Sequence, residues 1–570
     1  MRILFLICLL GTAWGCQAAS STTSESSDGQ TTQPGGADSA SAGAATLQQQ
    51  RQAFLNAPEF VEHLPRLLEL EQQALQLAVD EPLKLGSIGT AILDIYPGSQ
   101  TGHLAMSRFY AHVESDEAKT EHDDALAALQ AQMGGDGSVN APFKVMTIYD
   151  AHAYAESNDT TPVGSIYQIN DPQSFELLLV AKPNAPQNPE QGRLQQVHFD
   201  LSHMLSGFGQ ALAESRGEET DDVPLPLANP WELLRTLAAR MDTAAQTAIG
   251  RYLGQMQKYS DAVSWLRVAS RAGNVLANSL LARIYWSQAE ATDDESKRKE
   301  LRELSLDNHL HAIALGSTDS MYTLANLYIN DYYGEENRSA AIPLLQQAGQ
   351  LGHAESLLYL GYLHNIGREV EQDIPTATSY FEQAAALNNP QAIISYGRFL
   401  SGLSSQSIDT GKDHSQIHEW LGNLAQDDNA EAMVVLGNLH ARGIGTRASH
   451  KRAIRWYKQA VKAADDNADI VNEVAWTLTV SDVRGLKRAR YAKKIMDNLM
   501  ADSEAARTRP EFLDTWAAAH AASGDFSQAI ALQQEAIEHA TSQERDDVLD
   551  ILKGHLEQFK AGATITESAP

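Results

Sequence analysis

The stretch that decides the fold is Gly443-Ile444-Gly445 followed by Ala453-Ile454-Arg455-Trp456-Tyr457-Lys458-Gln459-Ala460, a clear copy of a recurrent pattern. The pattern runs from about residue 240 to 465 and can be aligned on a small anchor residue, with spacings of 43, 36, 36 and 40 residues. Larger side chains stand four and eight residues after each anchor, a small residue stands five after it, and Gly, Asn or Asp stands four before it. The five anchors are Ala277, Ser320, Ser356, Ala392 and Ala432, and a fainter copy precedes them at Ala244.

Each position in this pattern has a physical reason. The anchor and the positions four, five and eight residues later share one helical face, so they predict a buried stripe on which small residues let a neighbouring helix approach. The residue four before the anchor tolerates the left-handed conformation that ends a helix. The preceding helix is predicted to bury its own stripe, and repeated antiparallel pairs of this kind predict an α-solenoid. The stripe pairs are Trp265/Ala269, Leu344/Ala348, Tyr380/Ala384 and Trp456/Ala460.

This pattern resembles the Sel1-like repeats, relatives of the tetratricopeptide repeat, over residues 236–465. Residues 466–560 resemble tetratricopeptide repeats: Leu513-Asp514-Thr515-Trp516-Ala517-Ala518-Ala519-His520 precedes Gly524, Ala529 and Ala536, although Gln533 replaces the usual aromatic residue. Residues 546–560 are predicted to be a capping helix and residues 561–570 a disordered tail. Insertions after Ala289 and Leu403 are either binding loops or tolerated surface excursions.

The N-terminus has the features of an export signal. Residues 1–16 combine Arg2, a short apolar run and a terminal Gly15-Cys16, and they resemble the lipobox of bacterial lipoproteins, whose cysteine is lipidated. Trp14 departs from that pattern, and ordinary cleavage after Ala18 or Ala19 is the alternative. Residues 17–46 are predicted to be a flexible tether. The resemblance implies the periplasmic side of the outer membrane, and ordinary cleavage a soluble periplasmic protein.

The sequence pattern of residues 47–235 differs from that of the repeats. Residues 47–84 predict a helical segment, and residues 85–235 a small α+β domain. Within that domain, residues 87–112 predict two short helices around a Pro-Gly turn, and strand character occurs at residues 163–168, 175–181 and 196–201.

Composition excludes several classes of function. The chain of 570 residues carries a formal charge of −30, which argues against binding nucleic acid or anionic headgroups. No block of like charges stands out, so the acidity is interpreted as a solvated surface. The chain has two cysteines, Cys8 and Cys16, and both lie in the leader, so disulfides and thiolate chemistry are excluded from the folded part. No catalytic or phosphate-binding motif is found, and neither a cofactor nor a metal is predicted.

A few residues nevertheless deserve mention as candidates. His414 and His418 could share one helical face toward a metal, or they could simply face solvent. His103, His198, Asp200 and His203 could converge in a pocket, or they could be structural. Tyr285, Tyr328, Trp265 and Trp456 occupy core positions of the repeat, whereas Tyr332 and Tyr333 fall outside the stripe and are candidate interaction residues.

The hypothesis we favour is a non-enzymatic scaffold or adaptor in the bacterial cell envelope, because proteins with Sel1-like repeats commonly act as scaffolds. Its partners would be envelope proteins of unknown identity, and its membrane contact would come through the N-terminal lipid alone. The alternative is a ligand-binding or hydrolytic domain at residues 85–235 with the repeats as a targeting arm. A ligand sensor, in which that domain modulates binding by the solenoid, is a third possibility.

Overall fold

The structure is a computed structural model that describes residues 46–78, 80–169, 174–188, 190–207, 230–408, 410–465 and 467–567. The proposed leader with Cys16 and the tether up to residue 45 lie outside these ranges. Within the ranges, no helix is both long enough and apolar enough to cross a bilayer.

The N-terminal region combines helices with a four-stranded mixed sheet. The strand order is β1-β4-β3-β2; β2/β3 and β3/β4 are antiparallel, while β1/β4 is parallel. The three predicted strands are confirmed as β2, β3 and β4, and the two predicted helices as α3 and α4. The elements are α1 Leu47–Leu55, α2 Phe60–Leu77, α3 Leu85–Ile95, α4 Gln100–His112, α5 Asp116–Ala131, β1 Phe143–Lys144, α6 Ile148–Ser157, β2 Thr160–Gln168, β3 Glu176–Pro183 and β4 Gln195–Asp200, with 3-10 turns at Pro82–Lys84 and Glu190–Gly192.

One hydrophobic core joins this region to the first repeat helices. It extends from Leu47 on α1 to Ile249, and it buries Tyr96, Tyr167 and Phe199 almost completely. The helices of residues 47–77 therefore pack in the same core as the sheet, with no break at residue 84.

The repeats form a solenoid of helical hairpins, which confirms the predicted fold class. The six successive hairpins from α8/α9 to α18/α19 contain the anchors and the fainter first copy. The helices are α7 Pro230–Ala239, α8 Thr243–Gln255, α9 Tyr259–Arg271, α10 Val275–Glu290, α11 Glu295–Ala314, α12 Thr318–Ile329, α13 Ala341–Gln350, α14 Ala354–Ile366, α15 Ile374–Ala386, α16 Pro390–Ser405, α17 Ile417–Gln426, α18 Ala430–Arg442 and α19 His450–Ala463, with a 3-10 turn at Glu335–Ala340.

The repeat positions behave as the sequence predicts. All five anchors are at most 1% exposed. A Cβ added to Gly397 would lie 2.4 Å from Val435 Cγ1, and one added to Gly437 would lie 2.3 Å from Tyr457 Cε1, so these helices pack more closely than a larger residue allows. The residues four before the anchors all have φ between 55° and 99°, namely Gly273, Gly316, Gly352, Asn388 and Asp428.

The predicted stripe of the second helix is confirmed at its four alanines, which are fully buried, but it is wrong by one residue at its large side chains. Trp265 and its counterparts Leu344, Tyr380 and Trp456 are only partly buried. In each of these helices the large buried side chain belongs to the following residue, which lies between two alanines at helical spacing. That position is buried because it faces the centre of the neighbouring helix. These buried residues are Leu266 (0% exposed), Leu345 (0%), Phe381 (7%) and Tyr457 (0%).

The two insertions have different structures. The one after Ala289 is largely helical and lengthens α11 to 20 residues. The one after Leu403 includes residues 410–416, in which His414 hydrogen-bonds to the Tyr396 hydroxyl over 2.8 Å. Neither insertion is a free binding loop over its whole length.

The C-terminal hairpins continue the helical architecture. Gly524 turns between α23 and α24 with φ +90. Gln533, which replaces the usual aromatic residue of the tetratricopeptide pattern, is fully buried. Its Nε2 donates to Asp514 Oδ1 (2.7 Å) and to the Leu552 carbonyl (3.1 Å). The helices are α20 Ala468–Val480, α21 Ala489–Asp502, α22 Glu504–Arg507, α23 Pro510–Ala522, α24 Phe526–Ser542 and α25 Asp546–Lys560.

The segment after α25 folds back on α20, where the sequence predicts a disordered tail. Glu567 N donates to the Val480 carbonyl over 2.9 Å, and Asp482 N donates to the Glu567 carbonyl over 2.9 Å. Ile565 is only 4% exposed, so its burial holds residues 563–567 in place.

The sheet lies against the turns of the first hairpins. Asn274 Nδ2, in the turn between α9 and α10, donates to the Ser165 carbonyl of β2 over 2.7 Å. Tyr167 of β2 donates to Asp242 Oδ2, at the start of α8, over 3.0 Å. A Cβ on Gly164 would lie 2.7 Å from Val275 Cγ1. The first hairpins are therefore partly covered, and the free surface of the solenoid lies further along the chain.

Candidate interaction site

The structure does not bring the four N-terminal candidate residues into one site. His103 Nδ1 lies 3.1 Å from His122 Nδ1, and its Nε2 lies 3.3 Å from the Pro97 carbonyl. Burial lowers the pKa of both histidines, and the His122 charge lowers that of His103 further. These rings are thus in contact between α4 and α5, and burial favours the neutral form of both.

His198, Asp200 and His203 lie at the end of β4. The Asp200 carboxylate accepts from Ser202 N over 2.8 Å, and burial lowers the pKa of His198 and His203. Across the described ranges, no hydrogen bond or ring contact links these three residues to His103. The same part of the chain contains no group of three or more His, Cys, Asp or Glu side chains placed to hold a metal ion.

His414 and His418 match neither expectation, since they neither share a helix nor face solvent. His414 precedes α17, is 8% exposed, and hydrogen-bonds to Thr410 as well as to Tyr396. His418 Nε2 lies 2.8 Å from the Ile444 carbonyl, and its ring centroid lies 4.9 Å from that of His440. Both histidines therefore have packing roles.

No pattern in the sequence indicated the buried carboxyl pair that Glu71 on α2 and Asp150 on α6 form. Ser99 Oγ donates to Glu71 Oε1 over 2.6 Å, and Gln100 N donates to Asp150 Oδ1 over 2.8 Å. Burial raises the pKa of Asp150 to about 6, against the lowering effect of backbone donors at Thr101 and Gln100. Burial, and then the charge of Asp150, raise the pKa of Glu71 well above its usual range. We therefore expect the stability of the N-terminal core to depend on pH.

The two predicted interaction residues have different environments. Tyr332 is 40% exposed, and its ring packs edge-on against Trp286 with centroids 4.9 Å apart. The Arg302 guanidinium lies 5.3 Å from both ring centroids and pairs with Glu290 over 2.9 Å. Tyr333 instead packs inward: its hydroxyl donates to the Arg302 carbonyl over 2.9 Å, and burial raises its pKa to about 12.

These residues form an aromatic cluster, which we define as Trp286, Arg302, Tyr332 and Tyr333. It joins α10, α11 and the connection after α12, so its geometry is set by two neighbouring hairpins. Arg302 carries charge over rings whose faces attract cations, which holds Tyr332 in an exposed but ordered position. The sequence pattern identified the two tyrosines but not Trp286 or Arg302, which come from the preceding hairpin.

A groove further along the solenoid is the second candidate surface. It is a cavity of about 450 Å³ between α13 and α15, and it contains amide and hydroxyl groups but no charged side chain. Such groups can donate to and accept from a peptide backbone. The lining residues are Gln346, Gln350, Leu357, Thr376, Ser379, Tyr380 and Gln383.

Comparison with known proteins identifies the repeats. The family model for the Sel1 repeat matches residues 243–274, 318–353, 354–389 and 430–465. These are the hairpins α8/α9, α12/α13, α14/α15 and α18/α19. The residues between the matched stretches, 275–317 and 390–429, contain the two insertions.

Two curated proteins and one solved structure are similar to this chain. The Sel1-repeat-containing protein YjcO of Escherichia coli K12 is 24% identical over 152 residues, which is 27% of this chain and 64% of YjcO. The chitin synthase regulator SKT5 of Saccharomyces cerevisiae is 25% identical over 150 residues, 26% of this chain and 21% of SKT5. The chain thus spans less than two thirds of either relative.

The solved structure is a protective antigen present in uropathogenic Escherichia coli strains that displays an SLR fold. It has 17% identity and a TM-score of 0.38, and the match covers 64% of this chain and 73% of the antigen. The matched residues and the hairpins that they form show that this chain contains Sel1 repeats, and over part of its length it is similar to YjcO.

Proposed function

We propose that this chain is a non-enzymatic scaffold that binds protein partners on the exposed surface of its solenoid. The observation that carries the proposal is the aromatic cluster, in which Tyr332 stands exposed on a scaffold fixed by buried hairpins. A rigid surface loses little conformational entropy on binding, and aromatic and arginine side chains dominate the energetics of protein interfaces.

The repeats support the same conclusion. Solenoids present extended surfaces because each repeat contacts only its neighbours. The yeast relative is named as a regulator of chitin synthase, and a partner-binding role of that general kind is what we propose here.

We further propose that the scaffold is held in the bacterial envelope through Cys16, on the periplasmic side of the outer membrane. The support is the leader ending in Gly15-Cys16 and the polar composition of residues 17–46. Cys16→Ser should move the protein from the membrane to the soluble fraction. Persistence in the membrane fraction after a high-salt wash would refute the lipid anchor.

Recovery of partners from detergent-solubilised envelope tests the scaffold. The bait is the full chain, because the shared core from Leu47 to Ile249 makes deletion of residues 47–235 disruptive. Tyr332→Ala is compared with Tyr252→Ala, a matched control: Tyr252 is 39% exposed and also packs on a tryptophan, with its centroid 4.2 Å from that of Trp231.

A stoichiometric partner retained by Tyr252→Ala and lost by Tyr332→Ala is the expected result. Equal recovery by all baits would move the binding surface away from the aromatic cluster. Absence of any stoichiometric partner would refute the scaffold.

A further inference from the structure

The positive charge of this acidic protein is concentrated in one part of the chain. Residues 442–494 contain 13 of the 43 Lys and Arg residues but only five of the 73 Asp and Glu residues. Their formal charge is therefore +8, whereas the rest of the chain carries −38. The expectation that no block of like charges stands out overlooks this segment.

Four of these cations form a stripe along α19. Lys451, Arg455, Lys458 and Lys462 are spaced by four, three and four residues, which places them on one helical face, and all four are exposed. At 1.5 Å per residue the stripe is about 16 Å long.

A second group lies beside it, in the connection before α21 and in the first two turns of that helix. It consists of Arg484, Arg488, Arg490 and Lys494, which are also exposed. No side chain caps the N-terminus of α21, so the positive end of the helix dipole adds to the same surface.

The two groups form one continuous surface because consecutive hairpins place α19 next to α21. Lys458 Nζ lies 5.2 Å from the Tyr491 ring centroid, and a Cβ on Gly485 would lie 3.0 Å from His450 Nδ1. A depression of about 660 Å³ opens at Arg488, Arg490 and Tyr491. The basic face is the set Lys451, Arg455, Lys458, Lys462, Arg484, Arg488, Arg490 and Lys494.

The members of the basic face form no ion pair with the described residues of the protein. Two nearby cations outside the set have carboxylate partners: Lys493 pairs with Asp497 over 2.7 Å, and Arg442 pairs with Asp482 over 3.6 Å. Over the ranges that the structure covers, none of the eight members has a carboxylate within 4.0 Å. In a chain with 30 excess carboxylates, eight exposed cations with no ion pair among the described residues favour the binding of an external anion.

The shape and charge of the surroundings favour a narrow anion. At physiological ionic strength charges act over about 8 Å, so a flexible segment on the basic face is screened from the acidic remainder of the chain. A membrane surface or a nucleic-acid duplex is broader and would meet that acidic remainder. The two aromatic rings beside the face each have a cation near them, Arg455 at 6.0 Å from the Trp456 centroid and Lys458 at 5.2 Å from the Tyr491 centroid, so a base that stacks on either ring would have to displace that cation.

We propose that the basic face binds a flexible acidic segment of a protein partner. The proposal rests on the scaffold function and names the chemistry of one partner. An extended strand rises about 3.3 Å per residue, so the stripe on α19 fits about five residues rich in Asp and Glu.

The test measures binding of labelled octaglutamate by fluorescence anisotropy, with octaglutamine as the uncharged probe. The protein is the full chain carrying Cys16→Ser. The variant Arg455→Glu/Lys458→Glu/Lys462→Glu is compared with Lys258→Glu/Lys297→Glu/Lys299→Glu, which changes three exposed lysines of other repeats and gives the same net charge. Circular dichroism confirms that both variants are folded.

Octaglutamate should bind, octaglutamine should not, and the face variant should weaken binding at least tenfold while the control changes it less than twofold. Equal weakening by both variants would show an effect of total charge only and would overturn the proposal. So would absence of binding, or tighter binding of anionic vesicles or of a single-stranded oligonucleotide than of octaglutamate.

These outcomes are distinct from failure of the scaffold proposal. If octaglutamate does not bind but the full chain still recovers a stoichiometric partner, the basic face is wrong and the scaffold stands. If octaglutamate binds selectively but no partner is recovered, the basic face stands and the scaffold function does not.

Discussion

Replacing Gly437 by alanine should destabilise the last Sel1 hairpin, because this position brings α18 into contact with α19. The added Cβ would lie 2.3 Å from Tyr457 Cε1, whereas carbon atoms normally pack 3.5–4.0 Å apart, so the ring must move by about 1.2 Å or more. Tyr457 is fully buried, and its hydroxyl donates to Asn438 Oδ1 over 2.7 Å. The ring therefore has no free space to enter.

The expected change in the free energy of unfolding combines one stabilising effect with two destabilising effects. Alanine favours a helix over glycine by about 1 kcal/mol. Overpacking a core costs about 1–3 kcal/mol, and loss of the hydrogen bond between Tyr457 and Asn438 leaves buried polar groups at a cost of about 1–3 kcal/mol. The net expectation is a loss of about 3 kcal/mol from the free energy of unfolding of this hairpin.

Native-state hydrogen exchange of α18 and α19 is the appropriate assay, because repeats in a solenoid can open separately. The matched control is Gly422→Ala on α17, where the added Cβ has no atom within 4 Å, and which should stabilise its helix by about 0.5–1 kcal/mol. Tyr457→Leu should reduce the cost of Gly437→Ala, since it removes the clashing ring. Unchanged protection of α18 and α19 in Gly437→Ala would refute the packing argument.

Three further predictions concern the rest of the molecule. Burial raises the pKa of Asp150 from 3.8 to about 6, so its contribution to stability is full below pH 4 and is lost as the pH rises through 6, by about 3 kcal/mol. Asp150→Asn should remove this part of the pH dependence in denaturant unfolding and leave the part that comes from Glu71, and an unchanged pH profile would contradict the prediction. Burial opposes protonation of His555, but its hydrogen bonds to Asp514 and Glu567 outweigh burial and raise its pKa to about 9. Protonated His555 therefore stabilises the fold fully below pH 6.5, and this stabilisation is lost as the pH rises through 9. A midpoint below pH 7 in an NMR titration of His555 would contradict the prediction. Asn274→Ala removes the cap of α10 and the hydrogen bond to the Ser165 carbonyl, and it should lower the free energy of unfolding by about 2–4 kcal/mol. The control is Asn429→Ala, which removes only the cap of α18 and should lower the free energy of unfolding by about 1 kcal/mol. Equal losses in the two variants would show that the contact with the sheet is unimportant.

The repeats could be predicted because their information is local. A helix cap and a buried stripe each depend on residues within about two turns, so the pattern around Ala432 predicts both Asp428 with positive φ and the close packing at Gly437. The choice between Trp456 and Tyr457 as the buried residue is different. Both lie near the predicted face, and only the position of the neighbouring helix decides between them.

The candidate surfaces could be predicted from the sequence only in part. Tyr332 stood out because it lies outside the repeat stripe, but its partners Trp286 and Arg302 come from another hairpin. The pair formed by Glu71 and Asp150 joins helices far apart in the chain, and no local pattern indicates it.

By itself, the amino-acid sequence determined the helical hairpins, their stacking order and the left-handed turns between them, because these depend on periodicity and backbone preference over short distances. The tertiary structure alone decided three features: the sheet that covers the first turns through Asn274, the return of Ile565 to α20, and the convergence of cations from α19 and α21 into the basic face. Each of these brings together residues that are distant in the chain or belong to different helices. Their proximity arises only when the hairpins pack, and no local propensity specifies it.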